Sequence, residues 1–569
     1  MQNKWQTAKV VPSDFINKFP EVNPIIAQLL YNRGLDTDEK IQQFLNPDFI
    51  AGQHDPFLFR DMEKAVQRLL QAVEKKEKIL VHGDYDADGV CSSAIIMNTL
   101  KELGAVNTDI YIPHRQTEGY GINMEASKKF ADNKVDLIIT VDCGISNAEE
   151  IEYLASQGID VIVTDHHYQP LTLPEKAFAI IDPALKDEQY PEKEISGTAV
   201  AFKFAQAIIR KKDLGEAFEK WLLDLVAISI VTDCIPIKSE TRTLLKYGLI
   251  VLNKTQRLGI RALIDAVRRE PGEKITTQFI AFRIGPRINA AGRLNHANVA
   301  YNLLMTEDPE EAREKVEELN QTNVDRQKIC ETIRKEVAAQ IDLQRDNQSL
   351  YGFGAEWPLG VVGIVAGKIA DEENKPTIIF TENEGELTGS GRSIEQFNLI
   401  KALQECEELF SRFGGHSQAA GFTLAKGVSV DQFKECFEKK VAAKLKDEDL
   451  RKTVPIEAEI KLEDINWELY EQLEKFEPYG EANWRPNFLS KNVKVYEMQT
   501  VGKQNNHLKL VLESETGKRM KFIAVGFGHL EEKLSMDTRL DVVFDLDVNE
   551  WNGNRELQCK LIDVNILDE

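Results

Sequence analysis

Ile79-Leu-Val-His82-Gly-Asp84-Tyr-Asp86-Ala-Asp88-Gly89 is the stretch on which the reading of this chain turns. One short turn after an apolar, strand-type run holds a histidine and three carboxylates. Like charges crowded in this way cost several kcal/mol unless cations neutralise them. Gly83 and Gly89 let the backbone fold tightly around whatever is bound. An EF-hand loop also begins Asp-x-Asp-x-Asp-Gly, but it needs a glutamate at loop position 12, where this chain has Ile95, and no strand precedes it. The plain alternative is a solvated acidic turn, which the crowding disfavours.

Working outward, four more strand-type runs follow: Asp109-Ile-Tyr-Ile-Pro, Leu137-Ile-Ile-Thr-Val-Asp142, Val161-Ile-Val-Thr-Asp165 and Ala179-Ile-Ile-Asp. Helical stretches separate most of them, which predicts a mostly parallel α/β sheet. Most of the runs end in Asp or His. Ligands of open α/β sheets sit beyond the carboxyl ends of the strands, so these groups should converge on one crevice. Asp142 is followed by Cys143-Gly144, and Asp165 opens the triplet Asp165-His166-His167. Adjacent histidines can face opposite sides of the chain, one towards a metal and the other towards substrate. Asp233, in Ile230-Val-Thr-Asp-Cys-Ile-Pro, is a carboxylate in an apolar context and asks for a partner. A donor set of carboxylates and imidazoles without a cysteine cluster suits Mn²⁺ or Mg²⁺ better than structural zinc.

Ahead of the sheet, the first 75 residues read as an arm with helical segments at Asp38–Leu45 and from Met62 onward. Residues 195–300 read as largely helical. The charged run from Pro309 to about Leu343 reads as a long solvated helix bridging two lobes. A second α/β region closes near residue 450, and four strand-like runs between Leu508 and Val564 suggest a small β-barrel.

Composition bounds the rest. The chain has 569 residues, 42% hydrophobic and 29% charged, enough for several globular cores. No segment approaches the roughly 18 apolar residues of a membrane helix, and the start lacks a secretory pattern. Seven cysteines without a C-x-x-C predict reduced thiols and a cytoplasmic protein. The net charge of −23 argues against a protein that coats nucleic acid, though not against a local basic groove or a metal site.

The acidic motifs together resemble the DHH superfamily of phosphoesterases, whose signature stands here as Asp165-His166-His167. Further segments are similar to its single-strand-specific 5′→3′ DNA exonucleases: Gly285-Pro-Arg287-Ile-Asn289-Ala-Ala-Gly-Arg293, Trp357 to Ala366, Gly389-Ser390-Gly-Arg392-Ser393, and Phe413-Gly-Gly415-His416-Ser-Gln-Ala-Ala-Gly421. Two positions depart from the family pattern: Pro358 stands where histidine is frequent, and Thr232-Asp-Cys234 replaces a more usual Ala-Asp-Val.

The resemblance implies an N-terminal helical arm (1–75), a DHH domain (76–300), a connecting helix (301–345), a DHH-associated domain (346–450) and an OB-fold-like domain (451–569). It implies hydrolysis of single-stranded DNA from the 5′ end to 5′-mononucleotides, in DNA repair and recombination, with two divalent ions roughly 3.5–4 Å apart. One ion would take His82, Asp86 and bridging Asp142; the other Asp88, Asp142, His166 and Asp233. Asp84 would be a ligand or a partner to one, Asp165 would orient a histidine, and His167 would contact the scissile phosphate. Arg115, with Arg287 or Arg293, Ser390 and Arg392, would hold a terminal 5′-phosphate. His416 and its glycines would approach phosphates closely, and Phe522, Phe527 and Trp551 are candidate stacking platforms. A helicase and a single-strand-binding protein are family expectations for partners, with the chain acting as a monomer. Rival readings are a superfamily enzyme acting on pyrophosphate, short oligonucleotides or cyclic dinucleotides, and a binding scaffold without activity.

Overall fold

The computed structural model describes residues 3–383, 385–446, 450–551 and 554–567, of which the side chain of Trp551 is not described. Five runs form one parallel sheet: β1 (Ile79–Gly83), β2 (Thr108–Tyr111), β3 (Leu137–Val141), β4 (Asp160–Thr164) and β5 (Ala179–Ile181), in the order β2-β1-β3-β4-β5. Both β1 and β3 are buried along their whole length, as apolar strands sandwiched between helices must be. The register matters most. Gly83 pairs with Val141, Val141 with Thr164, and Thr164 with Ile181. The next residues, Asp84, Asp142, Asp165 and Asp182, therefore leave the same carboxyl edge of the sheet.

Helices that serve this edge are α1 (Ala87–Glu102), α2 (Gly197–Lys212), α3 (Leu223–Thr232) and α4 (Gly285–Leu294). The charged run becomes α5 (Pro309–Ile341), a single helix of 33 residues. It connects the two α/β regions as expected, but one of its faces is buried rather than solvated. Ala312, Val316, Leu319, Asn323, Cys330, Ile333 and Val337 are buried, a stripe at helical spacing that the density of charges hides in the sequence.

Beyond α5, a second sheet holds β6 (Leu350–Phe353), β7 (Thr377–Asn383), β8 (Glu386–Arg392), β9 (Phe410–Gly415) and β10 (Ala419–Leu424), in the order β9-β10-β8-β7-β6, with α6 (Leu359–Glu373) against it. Cys406 and Cys436 form a disulfide across 30 residues. This corrects the expectation of reduced thiols throughout, since a pairing made by tertiary packing leaves no spacing motif. The other five cysteines are free. All the elements above fall within one compact unit, residues 49–236 with 240–450.

A separate unit joins residues 1–48 and 237–239 to 451–569. The strand Lys4–Thr7 pairs with Thr453–Ile456, Arg33 bridges Glu457 at 2.6 Å, and Phe15, Ile26, Leu29 and Leu30 enter the core of the C-terminal sheet. The sequence reading set residues 1–75 apart because nothing local reveals partners more than 400 residues away. In that sheet Phe488–Val501 pairs with both His507–Glu513 and Arg539–Trp551, so the pairings return to their start. Phe522 is a core residue and Phe527 is partly buried against the same core. No described helix is long and apolar enough to cross a membrane.

Candidate metal centre and its anion pocket

The acidic turn is built by its own backbone. Asp86 caps α1, its Oδ1 accepting from the Asp88 and Gly89 N–H groups, while Asn289 Oδ1 on α4 accepts from Ala87 N–H at 2.8 Å. A Cβ on Gly89 would stand 2.5 Å from the Asp84 carbonyl oxygen, so only glycine closes this turn. Asp88 is clasped by the N-terminus of α2. Gly197 N–H donates to Oδ2 at 2.8 Å and Thr198 N–H to Oδ1 at 2.7 Å, with the hydroxyls of Thr198 and Ser229 also donating to Oδ1. Gly197 again permits the approach, because a Cβ there would lie 2.5 Å from Asp142 Oδ1.

Three overlapping donor sets result: Asp142 with His166 and His167, Asp88 with His166 and Asp233, and Asp84 with Asp86 and Asp142. His166 Nε2 lies 3.2 Å from Asp142 Oδ1 and 3.7 Å from both Asp88 Oδ2 and Asp233 Oδ2. Oxygens of Asp84, Asp86 and Asp142, the third set, lie within 4.8 Å of one another. Asp142 itself sits at φ 60°, a strained conformation of the kind that persists where function requires it. Burial, and then the neighbouring carboxylates, push the pKa of Asp84, Asp86 and Asp142 up. For Asp233 burial, followed by Asp88, raises it to about 8. Asp84 Oδ1 and Asp142 Oδ1 are buried without a hydrogen-bond partner. Unpaired buried carboxylate oxygens beside an imidazole are what a divalent cation would satisfy, so the residues present fit the expected metal.

His82 falls in none of the three sets. Its ring packs against Tyr111 and Phe130, with Cys143 Sγ 3.6 Å from Nδ1, and burial lowers its pKa to about 4. Its Nε2 is nevertheless buried without a hydrogen-bond partner, as Asp84 Oδ1 and Asp142 Oδ1 are.

His167 is held differently from His166. Its Nδ1 lies 2.7 Å from Asp165 Oδ1 and 3.0 Å from the Tyr120 hydroxyl, which donates to the Asp142 carbonyl. With Nδ1–H given to Asp165, Nε2 is free for a substrate atom. Burial opposes ionisation of Asp165, but the hydrogen bond and charge of His167 hold its pKa below the usual value. Tyr120, Thr198, Ser229 and Asp182 were missed in the sequence. Asp182 ends a strand run just as Asp142 and Asp165 do, which was the available signal.

The arginines form a second pocket. Arg115 lies over the Tyr85 ring at 4.7 Å, Arg293 Nη1 donates to the Gly360 carbonyl at 3.0 Å, and Arg392 Nη1 donates to the Gly391 carbonyl at 2.8 Å beside Ser390 Oγ at 3.4 Å. Burial, then Arg115, lowers the pKa of Arg293 to about 10 and also that of Arg392. Asp86 is felt by Arg293, so this pocket adjoins the acidic one. Arg287 is elsewhere: its guanidinium donates to Asn320 on α5 and to the Arg283 carbonyl, and its charged neighbours are Arg283 and Arg326. Pro358 caps α6, and Trp357 beside it donates to Glu336 at 2.8 Å.

Comparison with known proteins decides the family. The chain matches the DHH family N-terminal domain over residues 78–230, the DHHA1 domain over 346–443 and the RecJ OB domain over 456–563. It is 36% identical over 547 residues to the single-stranded-DNA-specific exonuclease RecJ of Bacillus subtilis, covering 95% of this chain and 68% of that protein. With RecJ of Haemophilus influenzae the identity is 32% over 558 residues, 94% of each chain. The chain belongs to the RecJ family. A crystal structure of RecJ from Thermus thermophilus in complex with Mn²⁺ superimposes with a TM-score of 0.85 at 29% identity, over all of this chain and 80% of that one. RecJ architecture thus accounts for both units.

Proposed function

We propose that this RecJ-family chain is a metal-dependent exonuclease that hydrolyses single-stranded DNA from its 5′ end, releasing 5′-mononucleotides. The observation that carries this reading is the contiguity of two unneutralised pockets, one acidic and sharing Asp142, one cationic around Arg115, Arg293 and Arg392. Asp88, Asp142, His166 and Asp233 would hold one divalent ion, and Asp84, Asp86 and Asp142 the other. Mn²⁺ or Mg²⁺ bound there supplies Lewis-acid charge and a lowered pKa for water. The chain's own groups do the rest. Asp165 fixes the His167 ring, whose Nε2 meets the scissile phosphate. Arg115, Arg293 and Arg392 with Ser390 take the terminal 5′-phosphate through charge-assisted hydrogen bonds, which sets polarity.

All these groups come from one chain, so the reading needs only a monomer. A helicase or a single-strand-binding protein would supply the strand, in DNA repair and recombination. We assign the activity to the cytoplasm, where such strands arise, although the Cys406–Cys436 bond is a feature more usual in oxidising compartments. The domain limits inferred from sequence are retained for the DHH, DHH-associated and OB-like segments.

The test is product release from a 5′-phosphorylated single strand, labelled at either end, with Mn²⁺ or Mg²⁺. Early 5′-mononucleotides from the 5′ end alone are expected, with matched duplex left intact. Hydrolysis confined to pyrophosphate or short oligonucleotides would keep the metal centre and overturn the exonuclease reading.

A further inference from the structure

Tyr168 follows His167 directly, and its ring is 73% exposed. Among the described residues its hydroxyl makes no hydrogen bond, so nothing polar accounts for the ring's position. The contact it does make reaches across the unit, to the other sheet. His416, at the turn between β9 and β10, has its ring centroid 5.7 Å from that of Tyr168 at 61°. The turn is set by a hydrogen bond from His416 N–H to the Ala419 carbonyl at 2.7 Å. Burial, then the charges of His167 and His166, lower the pKa of His416, which lies within their field. The Tyr168–His416 pair therefore borders the metal centre, with an aromatic face left open beside the residue that meets the scissile phosphate.

We infer that Tyr168, braced by His416, is a nucleobase-stacking subsite for a nucleotide flanking the scissile phosphate. The inference rests on the single-strand exonuclease reading and adds a specific hold on the substrate to it. In an edge-to-face pair one ring steadies the other while leaving a face free, and any base can stack on that face without regard to sequence. A chain of net charge −23 has particular use for such a contact, because general attraction of a polyanion to its surface is unavailable. Phe522 and Phe527, packed in or against the core of the other unit, do not compete for this role.

The experiment uses the full chain with Mn²⁺ and 5′-phosphorylated oligonucleotides carrying one abasic position at nucleotide 1, 2 or 3. Tyr168→Ala should raise KM for the intact strand roughly tenfold, the scale of one lost base–aromatic stack, with kcat changed much less. Tyr168→Phe should stay near wild type, and His416→Ala should fall between the two. At one abasic position wild type and Tyr168→Ala should become equal, because the base that stacks is gone. Equilibrium binding of a labelled single strand in Ca²⁺ gives an independent readout of the same contact. Wild-type cleavage with Tyr168→Ala within twofold in both KM and binding would overturn the subsite and leave the exonuclease reading intact. A wild-type chain that neither binds nor cleaves single strands would overturn both.

Discussion

The acidic pocket and the arginine pocket are mirror images in charge, and each is built against its own electrostatics. Burial, then a neighbouring carboxylate (Asp86 for Asp84, Asp88 for Asp86 and Asp142), raises the pKa of Asp84, Asp86 and Asp142; Arg115, Arg293 and Arg392 crowd together, and burial, then Arg115, lowers that of the latter two. A fold would not keep either arrangement for stability, since buried like charges are destabilising until a counter-charge arrives. Their difference lies in what supports them. Backbone N–H groups and hydroxyls hold the acids, as Gly197, Thr198 and Ser229 hold Asp88, whereas carbonyl oxygens and an aromatic face hold the arginines. The scaffold gives each pocket enough compensation to fold and leaves the remainder to a cation in one and, as proposed above, to a phosphate in the other.

The comparison breaks first at Asp142, the residue common to two of the three donor sets. Asp142→Ala should lower turnover by about three orders of magnitude or more, as loss of a transition-state charge clamp does. Because the carboxylate is repelled by its neighbours, the metal-free variant should melt at or above the wild-type temperature. Calorimetry beside a nuclease assay checks both halves, and near-normal cleavage by a folded Asp142→Ala would remove the shared-ligand assignment. On the cationic side the expected effect is smaller. Arg392→Ala should lose the preference for a 5′-phosphorylated over a 5′-hydroxyl end by roughly tenfold to a hundredfold, the worth of one charge-assisted contact. Equal losses on the two ends would detach Arg392 from the terminal phosphate.

How much of this was legible in sequence follows from range. The five apolar runs, the acid turn and Asp142, Asp165, His166 and Asp233 were readable because strand ends and short spacings are local. Asp182 was on view in Ala179-Ile-Ile-Asp and went unused, since only the register from Gly83 to Ile181 reveals that four aspartates leave one edge. His82 stands apart from the three donor sets for the complementary reason: spacing cannot tell which side of a strand a histidine faces. The Cys406–Cys436 pair and the attachment of residues 1–48 to the C-terminal sheet depend on tertiary packing that no local pattern encodes, whereas the buried stripe of α5 is local in its spacing but masked by the charges around it.

A pH series separates the pockets further. Asp233 and Asp182, buried and near other carboxylates, have their pKa raised to about 8 and about 7. Unfolded carboxylates ionise near about 4, so between these values the folded chain binds more protons than the unfolded one. The stability these groups contribute is complete at acid pH and is lost as pH rises towards 8. Metal-free protein should therefore lose several degrees of melting temperature from pH 5 to 8, and Mn²⁺ should restore more of it at the upper end. Arg293, with its pKa near 10, keeps its charge over this range, so the preference for a 5′-phosphate should stay flat. A Mn²⁺-induced shift independent of pH would mean that the cation does not displace these protons.

The smallest expected effect tests the boundary of the cationic pocket. Arg287 shares the Gly285–Arg293 segment with Arg293, and by sequence either could hold the phosphate. Its guanidinium is committed to Asn320 and to the Arg283 carbonyl, on the side of α4 that faces α5, while Arg293 and Arg392 are the ones that sense Arg115. Arg287→Ala should thus change end preference by less than about twofold, with a modest loss of stability of about 1 kcal/mol from the broken hydrogen bonds. Measuring melting temperature and the ratio of rates on 5′-phosphate and 5′-hydroxyl ends settles it. A variant that loses end preference as Arg392→Ala does would extend the pocket to Arg287 and require its side chain to leave Asn320 when substrate binds.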